Sequence, residues 1–180
     1  MASVNLLDEN LLLWNKFRSG SADAFGELMR THYSDLFSYG VRFTRDTPLV
    51  KDCIQDLFLT LWMNRTTISE TSFIKYYLLK NLRQILSRTS SQARRRTEPA
   101  FDYGFGSTSP GKMRKVLAGL SSRQQEILYL RFFMDADTDD IAEIISVNRL
   151  SVQRLTDDTF RRLRKISPKK VFLLNALRRV

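Results

Sequence analysis

The chain has 180 residues, and its 29 lysine and arginine side chains outnumber 19 aspartate and glutamate side chains, which gives a net charge of +10. A single cysteine and a single histidine exclude a disulfide framework and a cysteine-based zinc site, and they argue against a Ser-His relay, so we expect no enzyme, metal or cofactor. Hydrophobic residues make up 43% of the chain, with only seven glycines and four prolines, which favours packed helices over a loop-rich or disordered chain. No apolar run approaches the roughly 18–20 residues of a membrane span, so we expect a cytoplasmic protein without membrane insertion.

The positive charge is unevenly distributed. Residues 1–74 carry 7 basic and 9 acidic side chains, residues 75–111 carry 7 and 2, and residues 112–180 carry 15 and 8. A basic surface often binds nucleic acid, because neutralising phosphates releases counterions. From charge alone, a basic surface that is merely solvated explains these numbers equally well.

Apolar residues recur at helical spacing through the first half of the chain. An apolar patch at residues 11–17 ends at a Ser-Gly pair, and Ser21 then fits the N-cap of a second helix. Pro48 suits the first turn of a third helix, whose apolar residues between 50 and 62 share one face. After a polar turn, residues 74–87 predict a fourth helix.

A linker is predicted at residues 97–111, TEPAFDYGFGSTSPG, which contain two prolines and three glycines. It separates a helical domain at residues 1–96 from a second one at residues 112–180, in which we expect four helical segments. Ser121 and Gln124 form a capping-box pattern at the second of these segments.

The last two of these segments have the pattern of a helix-turn-helix, with a short break at residues 146–148. Four aspartates precede or begin the first of the pair. Helix capping explains them better than a metal loop does, since the glycine and distant glutamate of an EF-hand are missing. They are Asp135, Asp137, Asp139 and Asp140.

The predicted third helix has a second stripe opposite its apolar face. Two carboxylates lie beside two apolar side chains that point outward, which is typical of a protein-docking surface. A solvated helix side with incidental apolar residues is the alternative interpretation. The stripe consists of Asp52, Gln55, Asp56, Leu59 and Met63.

Two further helix faces suit nucleic acid. From Lys75 through Arg96 the chain has seven basic residues and no acidic one, and tyrosine there offers a ring on which a base can stack. Near its start, the last helix carries polar side chains suited to base edges in a major groove. Asp157 and Asp158 repel phosphate there. One interpretation is that they accept from cytosine; we favour the other, that they pair with Arg161 and Arg162 at a spacing of four residues.

In these segments and their order the chain resembles the extracytoplasmic-function (ECF) sigma factors, a two-domain branch of the sigma-70 family of bacterial RNA polymerase. The resemblance spans about residues 9–166, and its most specific part is the third helix. The segments that carry it are AFGELMRTHYSDLFSYGVRFTRD (24–46), VKDCIQDLFLTLWMNRTTI (50–68), FIKYYLLKNLRQIL (73–86), LSSRQQEILYLRFF (120–133), DDIAEIISVNRLSVQRL (139–155) and FRRLRK (160–165).

The resemblance implies an all-α fold, with a region 2 helical bundle and a region 4 helix-turn-helix joined by a flexible linker. It also implies promoter recognition and strand opening with core RNA polymerase, whose clamp coiled coil would bind the stripe, and a probable anti-sigma factor as a second partner. The −10 element would contact Trp62, Asn64, Arg65, Thr66, Tyr76, Lys80, Arg83 and Gln84, and the −35 element Ser151, Gln153, Arg154 and Arg161.

Two points stay open at the level of sequence. A stand-alone helix-turn-helix regulator, which binds DNA without polymerase, is the main alternative, and a protein-sequestering module is another. The tail at residues 168–180 has the pattern of an amphipathic helix, which we expect to pack on the second domain rather than to bind a regulator.

Overall fold

The computed structural model describes residues 2–44, 46–93 and 119–166. All regular secondary structure in these ranges is α-helical, which confirms the predicted all-α class. The chain divides into two compact units, Met1–Glu98 and Pro99–Val180. The predicted linker, the first helical segment after it and the tail at residues 168–180 lie outside the described residues.

The first unit is a bundle of four helices. Ser21 and Asp46 cap the second and third helices, because each side chain accepts a hydrogen bond from the backbone N–H three residues later. Pro48 lies in the first turn of the third helix, as the sequence predicts. The helices are α1 (Ala2–Arg18), α2 (Ala22–Gly40), α3 (Thr47–Met63) and α4 (Ile74–Ala93).

An aromatic cluster joins α1, α2 and α3. Phe17 is fully buried and stacks on Phe25 with ring centroids 5.7 Å apart. Trp62 packs against both rings, at 4.9 Å from Phe25 and 6.3 Å from Phe17. The predicted inward face of α3 is therefore confirmed, and its opposite face points away from the core.

One glycine allows α2 and α3 to approach closely. Gly40 ends α2, and a Cβ atom at this position would lie only 2.5 Å from Cγ1 of Val50, in the first turn of α3. Val50 is fully buried, so it has no free space into which it can withdraw. The contact between these two helices consequently depends on a residue without a side chain.

The second unit contains three described helices, α5 (Ser122–Phe133), α6 (Thr138–Ile144) and α7 (Arg149–Ile166). Ser121 and Gln124 make both hydrogen bonds of a capping box at the start of α5, as predicted. The core is built from side chains that are at most 2% exposed, among them Ile127, Leu130, Ile141, Ile144, Val152 and Leu163.

Candidate partner and nucleic-acid interfaces

The predicted docking stripe on α3 is an exposed surface. Leu59 and Met63 are 59% and 69% exposed, which is unusual for side chains of this size. Asp52, Gln55 and Asp56 are exposed on the same side of the helix. Within the described residues neither carboxylate of the stripe forms an ion pair, so the helix presents two unpaired negative charges beside two apolar side chains.

The loop between α3 and α4 comprises residues 64–73. The side chain of its second residue, Arg65, folds back on α3. The Arg65 guanidinium carbon lies 4.4 Å from the centroid of the Trp62 ring, and its Nη1 donates a hydrogen bond of 2.8 Å to the Trp62 carbonyl. Both side chains are half-buried. Arg65 is thus used to close the end of α3 and to cover the Trp62 ring.

The residues on either side of Arg65 are exposed to solvent. Asn64 and Thr66 are exposed, and Asn64 uses its Nδ2 to donate to the Thr60 carbonyl at 2.9 Å. Of the four loop-proximal residues assigned to the −10 element, the structure therefore leaves these two accessible. Trp62 and Arg65 pack on each other instead.

The outward face of α4 carries the predicted basic side chains. Tyr76, Lys80 and Arg83 are half-buried, and Gln84 is exposed. The neighbouring Tyr77 turns inward, where its ring meets Trp14 edge-on at 5.3 Å, and burial raises the pKa of its hydroxyl. Tyr76 therefore presents the aromatic ring on the basic face, as the sequence indicates.

Lys75 links the start of α4 to α2. Its Nζ lies 3.6 Å from the Asp35 carboxylate, and 5.8 Å from the centroid of the Tyr76 ring. The single histidine, His32, is half-buried nearby, where burial lowers its pKa. These contacts fix the first turn of α4 relative to α2 beside the basic face.

Capping hydrogen bonds and an ion pair stabilise the helix-turn-helix of the second unit. Asp137 accepts hydrogen bonds from the backbone N–H groups of Asp139 and Asp140, and these bonds hold its pKa below the ordinary value. Burial raises the pKa of Asp140, whose carboxylate accepts from the Asp137 backbone. Asp139 forms a 2.7 Å ion pair with Arg149, which joins α6 to the first residue of α7.

This geometry confirms the capping interpretation for Asp137 and Asp140, which form the capping box of α6, whereas the Asp139 side chain pairs with Arg149. The part of the chain that the structure describes contains no group of three or more side chains suited to a metal ion.

The first turns of α7 present the residues predicted for the −35 element. Gln153 and Arg154 are exposed and Ser151 is half-exposed, with its backbone N–H bound by the Asn148 side chain at 2.8 Å. Leu150, next to them, is 54% exposed, although the sequence assigned it no role. The N-terminal end of α7 thus offers a cluster of accessible polar side chains beside an apolar one.

The pairing predicted for the acidic residues of α7 is wrong in its spacing. Asp158 pairs with Arg161, three residues later, at 3.1 Å, and Asp157 forms no ion pair within the described residues. In this geometry the Arg161 guanidinium turns back toward the preceding turn. The charge of Arg161 is therefore partly neutralised by its own helix.

Comparison with known proteins agrees with this architecture. Residues 116–165 match the family model described as "Sigma-70, region 4". The structure is similar to that of the sigma factor RpoE from Bartonella quintana, solved in complex with the anti-sigma factor NepR. The TM-score is 0.62 at 18% sequence identity, over 81% of this chain and 97% of that one. No curated protein matches this chain.

These findings concern the fold of the chain and the family that part of its second unit resembles. Residues 116–165 of the second unit resemble a sigma-70 region 4 domain, and the chain has a fold similar to that of a solved sigma factor. Both findings agree with the prediction of a two-domain sigma-70 type fold. None of the described helices is long and apolar enough to cross a membrane.

Proposed function

We propose that this chain is an ECF-type sigma factor, a dissociable subunit that directs bacterial RNA polymerase to promoters and opens the DNA there. One observation carries the proposal. A region 4 helix-turn-helix occurs in the same chain as a helical unit whose α3 exposes Leu59 and Met63 beside unpaired carboxylates. A regulator that acts on DNA alone has no need of such a stripe.

The α3 stripe is the proposed contact with the clamp coiled coil of the largest polymerase subunit. Leu59 and Met63 together offer apolar surface whose burial contributes on the order of 1 kcal/mol or more for each side chain. Asp52 and Asp56 supply charge for basic partner residues and fix the orientation of the complex.

The α3–α4 loop and α4 are the proposed contact with the −10 element. Asn64 and Thr66 are exposed at the loop and offer amide and hydroxyl groups to an unstacked base. Lys80 and Arg83 would bind phosphates, while Tyr76 and Gln84 would face bases of the separated strand. Strand opening would then use binding energy, without nucleotide hydrolysis and without a catalytic residue or cofactor.

The start of α7 is the proposed contact with the −35 element. Ser151, Gln153 and Arg154 lie at the N-terminal end of the second helix of a helix-turn-helix, which is the end that reads base edges in the major groove. Arg161 would contact phosphate only after its pair with Asp158 opens.

An anti-sigma factor is the proposed regulatory partner, and the cytoplasm, where polymerase acts, is the proposed location. The similar Bartonella quintana sigma factor was solved bound to such a protein. Because an anti-sigma factor needs to keep the chain from polymerase, the α3 stripe is a surface that it would cover.

Run-off transcription with core RNA polymerase on a promoter library tests the function directly. We expect initiation at defined starts that share sequence near −10 and −35, and only when the chain is present. Transcription that is unchanged by the chain, combined with sequence-specific binding of the chain alone to duplex DNA, would favour the stand-alone regulator instead.

A second experiment tests the docking surface. The variant Asp56→Arg/Leu59→Arg reverses one charge of the stripe and adds another, so we expect loss of core polymerase in a pull-down. Glu27→Arg/Thr31→Arg, at exposed positions of α2, makes the same net change of charge and serves as the control. Retention of polymerase by the stripe variant, at the level of the control, would remove the stripe from the interface.

A further inference from the structure

The α3–α4 loop passes the turn that follows α1 near its start and is bound to α1 by hydrogen bonds farther along. At its start, Arg65 covers Trp62, and its Nε lies 3.8 Å from the position that a Cβ atom on Gly20 would occupy. Gly20 has a φ of +98°, a conformation that L side chains rarely adopt. The turn between α1 and α2 therefore passes beside Arg65.

At its other end the loop is bound by two side chains of α1. Trp14 is fully buried, and its Nε1 donates a hydrogen bond of 3.0 Å to the Ser69 carbonyl. Asn15, one residue later, donates from Nδ2 to the Glu70 carboxylate. The Asn15 side chain in turn accepts a 3.4 Å hydrogen bond from Arg18.

Between these attachments the loop forms its own turn. The backbone N–H groups of Thr67 and Ile68 and the Thr67 hydroxyl all donate to the Asn64 carbonyl, at 2.9, 3.2 and 2.9 Å. Asn64, Thr66 and Thr67 are exposed on this turn. The loop thus has a defined shape in the free protein, and the polar groups at its tip are the ones that point into solvent.

We propose that Asn15 and Glu70, together with Trp14, are positioning residues that set the base preference of this loop without touching the DNA. The inference rests on the proposed function, since it concerns the loop assigned to the −10 element. A loop held in its binding shape loses less conformational entropy when a base enters, and it rejects bases that fit only a rearranged loop. Release of the Glu70 end would therefore weaken selectivity at one −10 position more than it weakens polymerase binding.

Glu70 allows a test in which charge is held constant. Both Glu70→Gln and Glu70→Ala remove its negative charge, but only glutamine keeps an oxygen that accepts from Asn15. Glu70 is exposed, so neither change disturbs the core. On promoters that differ at single −10 positions, we expect Glu70→Ala to reduce the ratio of initiation rates between preferred and altered base about threefold, and Glu70→Gln to keep it.

A double-mutant cycle with Asn15→Ala assigns the effect to the hydrogen bond. We expect Asn15→Ala to reduce the ratio as Glu70→Ala does, and the double variant to reduce it no further. Backbone amides of residues 64–73 should also exchange faster in Glu70→Ala than in Glu70→Gln, in the free chain.

The outcomes separate this inference from the proposed function. Equal base preference in Glu70→Ala and Glu70→Gln, while the wild-type chain starts at defined promoters, would overturn the positioning role and leave the sigma-factor function intact. A wild-type chain that supports no specific start would overturn both. A fall in core polymerase affinity as large as the fall in selectivity would also overturn the positioning role, since it would indicate a general loss of structure.

Discussion

The outward faces of α3 and α7 use charge in different ways. On α3, Asp52 and Asp56 form no ion pair within the described residues and lie beside exposed apolar side chains. On α7, Arg161 is paired with Asp158, and Arg149, at the start of the helix, is paired with Asp139 of α6. The charges of the first face stay unpaired, whereas the second face uses part of its charge within its own unit.

This difference agrees with the two proposed roles, a docking surface on α3 and a DNA-reading surface on α7. Exposed ion pairs contribute little stability, typically below about 1 kcal/mol, but they hold long side chains in place. The pairs on α6 and α7 therefore orient the helix-turn-helix and reduce its positive field. The total charge of a domain is consequently a poor guide to the charge on its recognition helix.

The largest effect is expected from charge reversal on α4. Lys80→Glu/Arg83→Glu should weaken promoter binding by the holoenzyme more than tenfold and reduce the slope of log affinity against log salt by about 2, because two phosphate contacts become repulsive. Affinity against salt concentration, measured by fluorescence anisotropy, checks this. Lys16→Glu/Lys51→Glu makes the same charge change at exposed positions of α1 and α3, and an equal loss in that control would show that α4 has no special role.

Truncation at the start of α7 should have the next largest effect. Arg154→Ala or Gln153→Ala should cost about 1–3 kcal/mol of binding at the −35 element and relax the preference at one base pair. Competition binding with single-base-pair substitutions measures this. Arg162→Ala, on the same helix, should weaken binding without changing the preference. If Arg154→Ala also keeps the preference, the base contacts lie elsewhere.

Loss of the α6 cap is expected to destabilise the second unit. Asp137→Ala removes two hydrogen bonds to backbone N–H groups and should lower the free energy of unfolding by about 1 kcal/mol. Thermal unfolding measures this, with Asp157→Ala as the control at an exposed position.

The pKa of Asp137 lies below its ordinary value of 3.8, chiefly because of the hydrogen bond from the Asp140 backbone. The stabilisation is therefore fully present above that ordinary value, and it is lost as the pH falls through the lowered pKa. The difference between wild type and Asp137→Ala should disappear in strong acid. A difference that grows as the pH falls would contradict the capping role.

The smallest effect is expected at Asp157. Its carboxylate forms no ion pair among the described residues and lies on the exposed side of α7, so Asp157→Asn should raise −35 affinity by two- to threefold at low salt. Binding isotherms at two salt concentrations measure this, with Glu27→Gln on α2 as the control. An unchanged affinity would indicate that Asp157 points away from the phosphates.

The sequence was sufficient to predict most of the described helices and the exposure of the stripe on α3. Helical spacing predicted the inward face of α3, and the caps at Ser21 and Ser121 were evident, because both signals lie within a few residues. Leu12, which belongs to the predicted apolar patch of α1, is 58% exposed, since one helix turn carries more apolar residues than its neighbours can cover.

The attachments of the α3–α4 loop were not predictable from local pattern. Trp14 and Ser69 are 55 residues apart, as are Asn15 and Glu70, and no periodicity within a helix relates such positions. The sequence also placed Trp62 both on the apolar face of α3 and at the −10 element. Its packing against Phe25 depends on how α2 and α3 meet in three dimensions.

The tight contact at Gly40 has a consequence for how the stripe can change. Since a methyl group there would overlap Val50, even Gly40→Ala would require the Val50 side chain or the first turn of α3 to shift. Asp52 lies two residues after Val50 on that same rigid helix, so a shift of that turn would displace the first carboxylate of the stripe. The lack of a side chain at Gly40 thus bears on the position of a surface on the far side of α3.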